Sequence, residues 1–174
     1  VLMATDTLIE SIKADTISPY DVLLAKASER WKMPSSQLED LMKRIAFHES
    51  KGVSTAQQTS GGPGKGLYQF EAGREGAGHT AARRLIAELG EQPSWLKLTD
   101  QGLDASKLTP EQQGMLFLAN YLRKEGKSSG MYGVNPENLA EWWFREHNAG
   151  PESTRMDRLS SFARDMQDYS RIGY

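Results

Sequence analysis

The sequence predicts a mainly α-helical single domain with one small β element. Two observations carry that expectation. Apolar residues recur at the i, i+3, i+4, i+7 spacing of amphipathic helices in successive stretches. Those stretches are punctuated by proline at first-turn positions and glycine at their ends. A third observation marks the exception: residues 52–66 are rich in Gly, Ser, Thr and Gln, so they form a loop, and the short run Gly66 to Phe70 after it has no helical period. A chain of 174 residues suits one domain with a sizeable core.

In chain order, residues 5–14 and about 19–31 are expected as short helices, the second opening at Ser18-Pro19, an N-cap followed by proline at N1. Residues 1–17 are treated as an N-terminal appendage of the single domain 1–174. Pro34-Ser35-Ser36 opens a helix with Leu38, Leu41, Met42 and Ile45 on its buried face, ending near Glu49. Gly66 to Phe70 reads as a strand or extended wall, part of a β element within residues 54–70. Thr80 to Leu89 is a helix stopped by Gly90. Thr109-Pro110-Glu111-Gln112 has the form of a capping box, and starts a helix striped by Met115, Leu118, Ala119 and Leu122, ending at Gly126. Asn135-Pro136-Glu137 starts another, with Leu139, Ala140, Trp143 and His147 on one face; Arg158 to Tyr169 is the last. The consecutive rings Trp142, Trp143 and Phe144 are not expected all to face the core: Trp143 packs inside, while Trp142 or Phe144 edges a cleft. Trp95 and Tyr132 fall in loops, where a ring is free to line a groove.

Composition removes several classes of function. Twenty-one Lys+Arg against 23 Asp+Glu leave a net charge of −2 without long runs of either sign, so neither a nucleic-acid groove nor a membrane-surface helix is expected. No cysteine is present, which excludes thiolate metal sites and cysteine nucleophiles. No segment approaches the ~18 apolar residues of a membrane span. The start Val-Leu-Met-Ala-Thr-Asp lacks the basic and apolar regions of a secretory leader.

Glu49 is the residue that points to chemistry. It follows Leu38 by 11 positions, which at 3.6 residues per turn returns it to the azimuth of the apolar face. Its carboxyl is thus directed along the buried side of its own helix, close to the negative end of the macrodipole. Both effects favour the protonated form. A carboxylic acid ready to donate a proton is what glycosidic cleavage requires.

Two further segments accompany it: Gly66-Leu67-Tyr68-Gln69 after the glycine-rich loop, and His147-Asn148-Ala149-Gly150-Pro151, expected as a helix end with Gly150 at φ > 0. With Glu49-Ser50 these three, in this order, resemble the lytic transglycosylase family, whose fold is shared with goose-type lysozymes. That family has Glu-Ser at a helix end, Gly-x-x-Gln after a Gly/Ala-rich loop, then Tyr-Asn-Ala-Gly-Pro. Phe117 to Leu122 is similar to the core helix that precedes the last motif. The resemblance covers residues 20–155.

The resemblance implies a lysozyme-like helical domain with a substrate cleft and a small hairpin. The implied substrate is the glycan strand of peptidoglycan, cut between N-acetylmuramic acid and N-acetylglucosamine with a 1,6-anhydro product and no cofactor or metal. Glu49 would be the general acid and base. Ser50, Tyr68, Gln69, His147 and Asn148 would orient or bind the glycan. A wall-degrading domain without a leader would suit a bacteriophage virion enzyme, part of a larger tail or internal protein acting in the bacterial periplasm; a periplasmic bacterial enzyme is the alternative.

Two departures from the family pattern matter. His147 stands where the family has tyrosine, and is expected neutral, because a cation there would oppose the acid role of Glu49. Glu71 lies two residues after Gln69, so on a strand both would face one side. It would then be a second carboxylate, converting the reaction to that of a hydrolytic muramidase; the plain alternative is a solvated glutamate at a strand end. A non-catalytic glycan-binding module of the virion is the reading from another class. The start of a zinc-protease HExxH at His48-Glu49 fails because Gly52 replaces the second histidine. The run Gly61 to Gly66 fails as a phosphate loop, because Gly66 stands where Ser or Thr is needed.

Overall fold

The structure, a computed structural model, describes residues 17–58, 61–124 and 130–173. The helix expected over 5–14 and the stop at Gly126 lie outside the described residues. Six α-helices and one two-stranded sheet are present among them: α1 (Pro19–Arg30), α2 (Ser35–Ser50), β1 (Gly64–Lys65), β2 (Phe70–Glu71), α3 (Ala77–Leu89), α4 (Pro110–Leu122), α5 (Leu139–Trp142) and α6 (Arg155–Ile172). The fold is mainly α with a small β-hairpin, as the periodicity predicts. No helix among the described residues is long and apolar enough to cross a membrane.

Local chemistry sets the helix starts. Ser18 caps α1 by accepting from the Tyr20 N–H at 3.2 Å, with Pro19 at N1. At α4 the capping box closes both ways. The Thr109 hydroxyl accepts from the Gln112 N–H at 3.1 Å, and the Gln112 side chain accepts from the Thr109 N–H at 3.0 Å. Helix α4 is the centre of the domain. Every residue from Gln113 to Leu122 is buried, as expected of a helix apolar on all sides. It packs against α1 and α3, while α2 and α6 pack together on another side.

The β element is narrower than expected. Gly64 pairs with Glu71 and Lys65 with Phe70, so Gly66 to Gln69 form the turn and not a strand. Gly66 (φ +77°) and Gln69 (φ +52°) are both left-handed, which a strand cannot accommodate. A side chain at Gly66 would also collide with the amide of Gln113, so this position needs glycine twice over.

The aromatic run is a second correction. Trp142, Trp143 and Phe144 are all buried. The cause is a change of helix type: α5 gives way at Trp143 to a π-helix, Trp143–Asn148. Its wider turn, with the Ala149 N–H reaching back five residues to the Phe144 carbonyl at 2.9 Å, moves successive rings off the α-helical azimuths. Trp142 donates to the Gly130 carbonyl at 2.8 Å and packs on Tyr121. Phe144 is covered by the Arg155 guanidinium, 5.3 Å from its ring centre. The expected C-cap is also displaced by one residue: Ala149 takes the left-handed conformation (φ +50°), not Gly150. Gly150 is needed for space, since a Cβ there would lie 2.6 Å from the Asn148 side-chain oxygen.

Candidate active site

Glu49 lies in the last turn of α2, which closes at Lys51 in the left-handed conformation. Its carboxyl points inward and receives a hydrogen bond from the Trp143 indole N–H, 3.0 Å away. Burial dominates and raises its pKa to about 7; the Trp143 bond and the charge of Arg158 pull the other way. A proton is therefore held on Glu49 close to neutrality, as the apolar azimuth predicts. The π-helix that carries Trp143 is the element that brings a donor to it. Sequence periodicity places Trp143 in the core but contains no signal for its partner.

His147, at the far end of the same π-helix, faces inward too. Its Nε2 is 2.7 Å from the Tyr68 carbonyl, and its Nδ1 is 2.5 Å from the Tyr121 hydroxyl. A carbonyl only accepts, so Nε2 carries the proton and Nδ1 accepts from Tyr121. Burial pushes the His147 pKa down to about 4, against the pull of the Tyr68 carbonyl. The ring is thus neutral, and it pins the hairpin turn to α4 and the π-helix. Its neighbours are Phe70 at 5.6 Å and Phe117 at 5.8 Å between ring centres.

The other expected residues are distributed as follows. The Ser50 hydroxyl donates back to the Ala46 carbonyl at 2.8 Å, within its own helix. The Tyr68 ring is buried on Phe117, 4.8 Å between centres. The Gln69 amide donates to the Gly66 carbonyl at 2.8 Å and so braces the turn. Asn148 accepts from the Gly150 N–H at 3.1 Å and shapes the turn after the π-helix. Glu71 is exposed on β2, and because Gln69 belongs to the turn, the two do not share a strand face. Glu71 alternates with Phe70, whose ring is buried beside His147, so the carboxylate points to the opposite side.

Gln113 is a structural residue of this site that the motifs do not reveal. It is fully buried, and its side-chain amide ties three segments. Its amide oxygen accepts from the Leu67 N–H at 2.7 Å, and its nitrogen donates to the carbonyls of Ser54 and Leu108, each at 2.9 Å. The only trace in the sequence is a glutamine beside the apolar stripe of α4.

His48 is another. It is largely enclosed between Trp143, Phe162 and Asp165.

Two grooves flank these elements. One, of about 790 Å³, includes Tyr20, Glu39, Met42, Ala46, Gly52 and Tyr68 in its wall. Ala46 and Gly52 lie on either side of Glu49 in sequence, while the Glu49 carboxyl itself is turned toward Trp143. The second, of about 680 Å³, includes Trp95, Lys97, Gln101 and Asp104, so Trp95 does line a groove. Tyr132 is exposed. Among the described residues no group of His, Asp and Glu is arranged to hold a metal ion. Comparison of the chain with protein-family models, with curated proteins and with solved structures gave no match.

Proposed function

We propose that this protein is a peptidoglycan lytic transglycosylase with Glu49 as its single acid and base. The observation that carries the reading is an inward-turned glutamic acid at a helix end, its pKa raised to about 7, held by one indole N–H. The order of the segments Glu49-Ser50, Gly66 to Gln69 and His147 to Pro151 supports it.

Protonated Glu49 donates its proton to the glycosidic oxygen as the bond to the muramic C1 breaks and positive charge develops there. The leaving N-acetylglucosamine departs as an alcohol. Glu49, now a carboxylate, is stabilised by the Trp143 N–H and by Arg158. It removes the proton of the muramic C6 hydroxyl, whose oxygen closes on C1 to form the 1,6-anhydro ring. The proton count returns to its start, and no water is consumed. A pKa near neutrality suits a group that must give and take a proton in one cycle. The exposed, outward position of Glu71 favours this one-carboxylate route over hydrolysis. The setting we propose is a bacteriophage virion, where the domain opens the wall locally from within a larger protein.

The test is Glu49→Gln on purified peptidoglycan, with products weighed by mass spectrometry. Loss of at least ~10²-fold in fragment release, with parent products lighter by one water than hydrolytic ones, is expected. Full activity in the variant would end the assignment. Hydrolytic products abolished by Glu71→Gln would replace it with a two-carboxylate muramidase, and binding without release would leave a glycan-binding module.

A further inference from the structure

The indole that serves Glu49 is itself held from behind. The His48 ring meets Trp143 edge to face, with 4.5 Å between centres and an interplanar angle of 82°. Phe162 from α6 packs on both, 4.8 Å from His48 and 5.1 Å from Trp143. Asp165, three residues along the same face of α6, places Oδ2 2.7 Å from His48 Nδ1. Its other oxygen accepts from Lys51 Nζ at 2.6 Å. A carboxylate only accepts, so Nδ1 carries the His48 proton and the ring orientation is set.

This arrangement is costly for mere packing. The side chains of His48 and Asp165 are only 11% and 17% exposed, and withdrawing such groups from water is repaid only by good geometry. An apolar side chain at 48 would fill the same space but would leave the indole free to tilt. We infer that His48, clamped by Asp165, is a positioning residue that holds the Trp143 indole with its N–H aimed at the Glu49 carboxyl. This rests on the reading of Glu49 as the acid, and it adds α6 to the machinery.

The groups around the pair are few. Glu49 is faced by Trp143, by Arg158 from α6 and by the field of Tyr121 from α4. His48 is faced by Asp165 and Lys51 and acts through its field on His147 of the π-helix, and burial keeps its pKa below the usual imidazole value despite the carboxylate. The influence of His48 on Glu49 passes through the Trp143 indole.

The test compares Asp165→Leu, which removes the clamp, with Asp165→Asn, whose amide oxygen still accepts from Nδ1–H. Two readouts do not require turnover: the Trp143 Nε1–H proton resonance, and the titration of Glu49 followed by carboxyl carbon NMR. In Asp165→Leu the indole resonance should move and the Glu49 midpoint should rise, because a bond to the carboxylate is lost. The kcat should fall about tenfold at unchanged KM, the size of one hydrogen bond in a transition state. Asp165→Asn should restore most of each. His48→Phe, which keeps the ring and removes the clamp, should behave like Asp165→Leu and stands in if that variant does not fold. An unmoved indole signal and Glu49 titration in both folded variants would overturn the inference. Full activity in Glu49→Gln would instead overturn the functional reading, while the two NMR readouts would still report on the clamp.

Discussion

The Trp143 indole donates to the Glu49 carboxyl across 3.0 Å, joining residues 94 apart in sequence. The bond sets two opposed tendencies against each other. Burial drives the carboxyl toward its neutral form, and the indole favours the charged one. Burial is the larger effect, which leaves the proton in place near neutrality while keeping a partner ready for the carboxylate.

Removing the indole N–H should shift that balance. Trp143→Phe keeps a ring in the core but donates nothing to Glu49. Its titration midpoint should rise above about 7, since the surviving effects are burial and the weaker pull of Arg158. On the proposed mechanism, the alkaline limb of the kcat profile moves to higher pH while the maximal kcat falls about tenfold. A limb that stays fixed would mean the bond does not act on the reacting form.

Glu49 should also destabilise the fold in base. Its native pKa of about 7 lies above the ordinary carboxyl value of 4.5, so between these limits the native state holds a proton that the unfolded chain has released. Stability then falls as pH rises through this window and levels off above it. The loss is at most about 3 kcal/mol for a shift of this size. Glu49→Gln should therefore melt at a higher temperature than the parent at pH 8, with the gap closing toward pH 4. Thermal melts across that range read the effect without any substrate.

His147 has the opposite signature. Its native pKa of about 4 lies below the ordinary imidazole value of 6.5, so between them the unfolded chain binds the extra proton. Stability is present above pH 6.5 and is lost as pH falls toward 4, by up to about 3 kcal/mol. His147→Gln, an amide with both a donor and an acceptor, should unfold less steeply with acid over that interval. Equal acid sensitivity in chemical denaturation of both proteins would show that the ring is not held neutral.

Gln113 should be a stability residue rather than a chemical one. Gln113→Leu strands the buried Leu67 N–H and removes the donor to the part-buried Ser54 and Leu108 carbonyls. A loss of about 2–4 kcal/mol is expected from one buried donor and two acceptors left without partners. The shift of the urea midpoint measures it, and a change below 0.5 kcal/mol, the scale of neutral surface substitutions, would show that water or a rearranged turn replaces the amide.

Much of the fold was legible because its causes are local. Ser18-Pro19, the Thr109 to Gln112 box and Gly90 each act within one turn of the helix end they define. Periodicity likewise put Leu38, Leu41, Met42 and Ile45 on the buried face of α2, and turned the Glu49 carboxyl inward beside Trp143. The run Gly66 to Gln69, open between strand and extended wall in the sequence, is a turn because the left-handed angle at Gln69 is imposed by the braced loop, not by a residue that prefers it.

The sequence by itself determined a helical domain in which Glu49 faces inward, since helical spacing alone carries that face. Only the tertiary structure decided what the carboxyl meets there. A π-helix, with more residues per turn than an α-helix, brings Trp143 onto Glu49, turns His147 between Tyr68 and Tyr121, and buries three consecutive rings that an α-helix would have divided. The physical reason is that burial follows from local spacing, whereas a hydrogen-bond partner follows from how separate elements pack. That packing also sets Asp165 and His48 behind the indole, where no motif announces them.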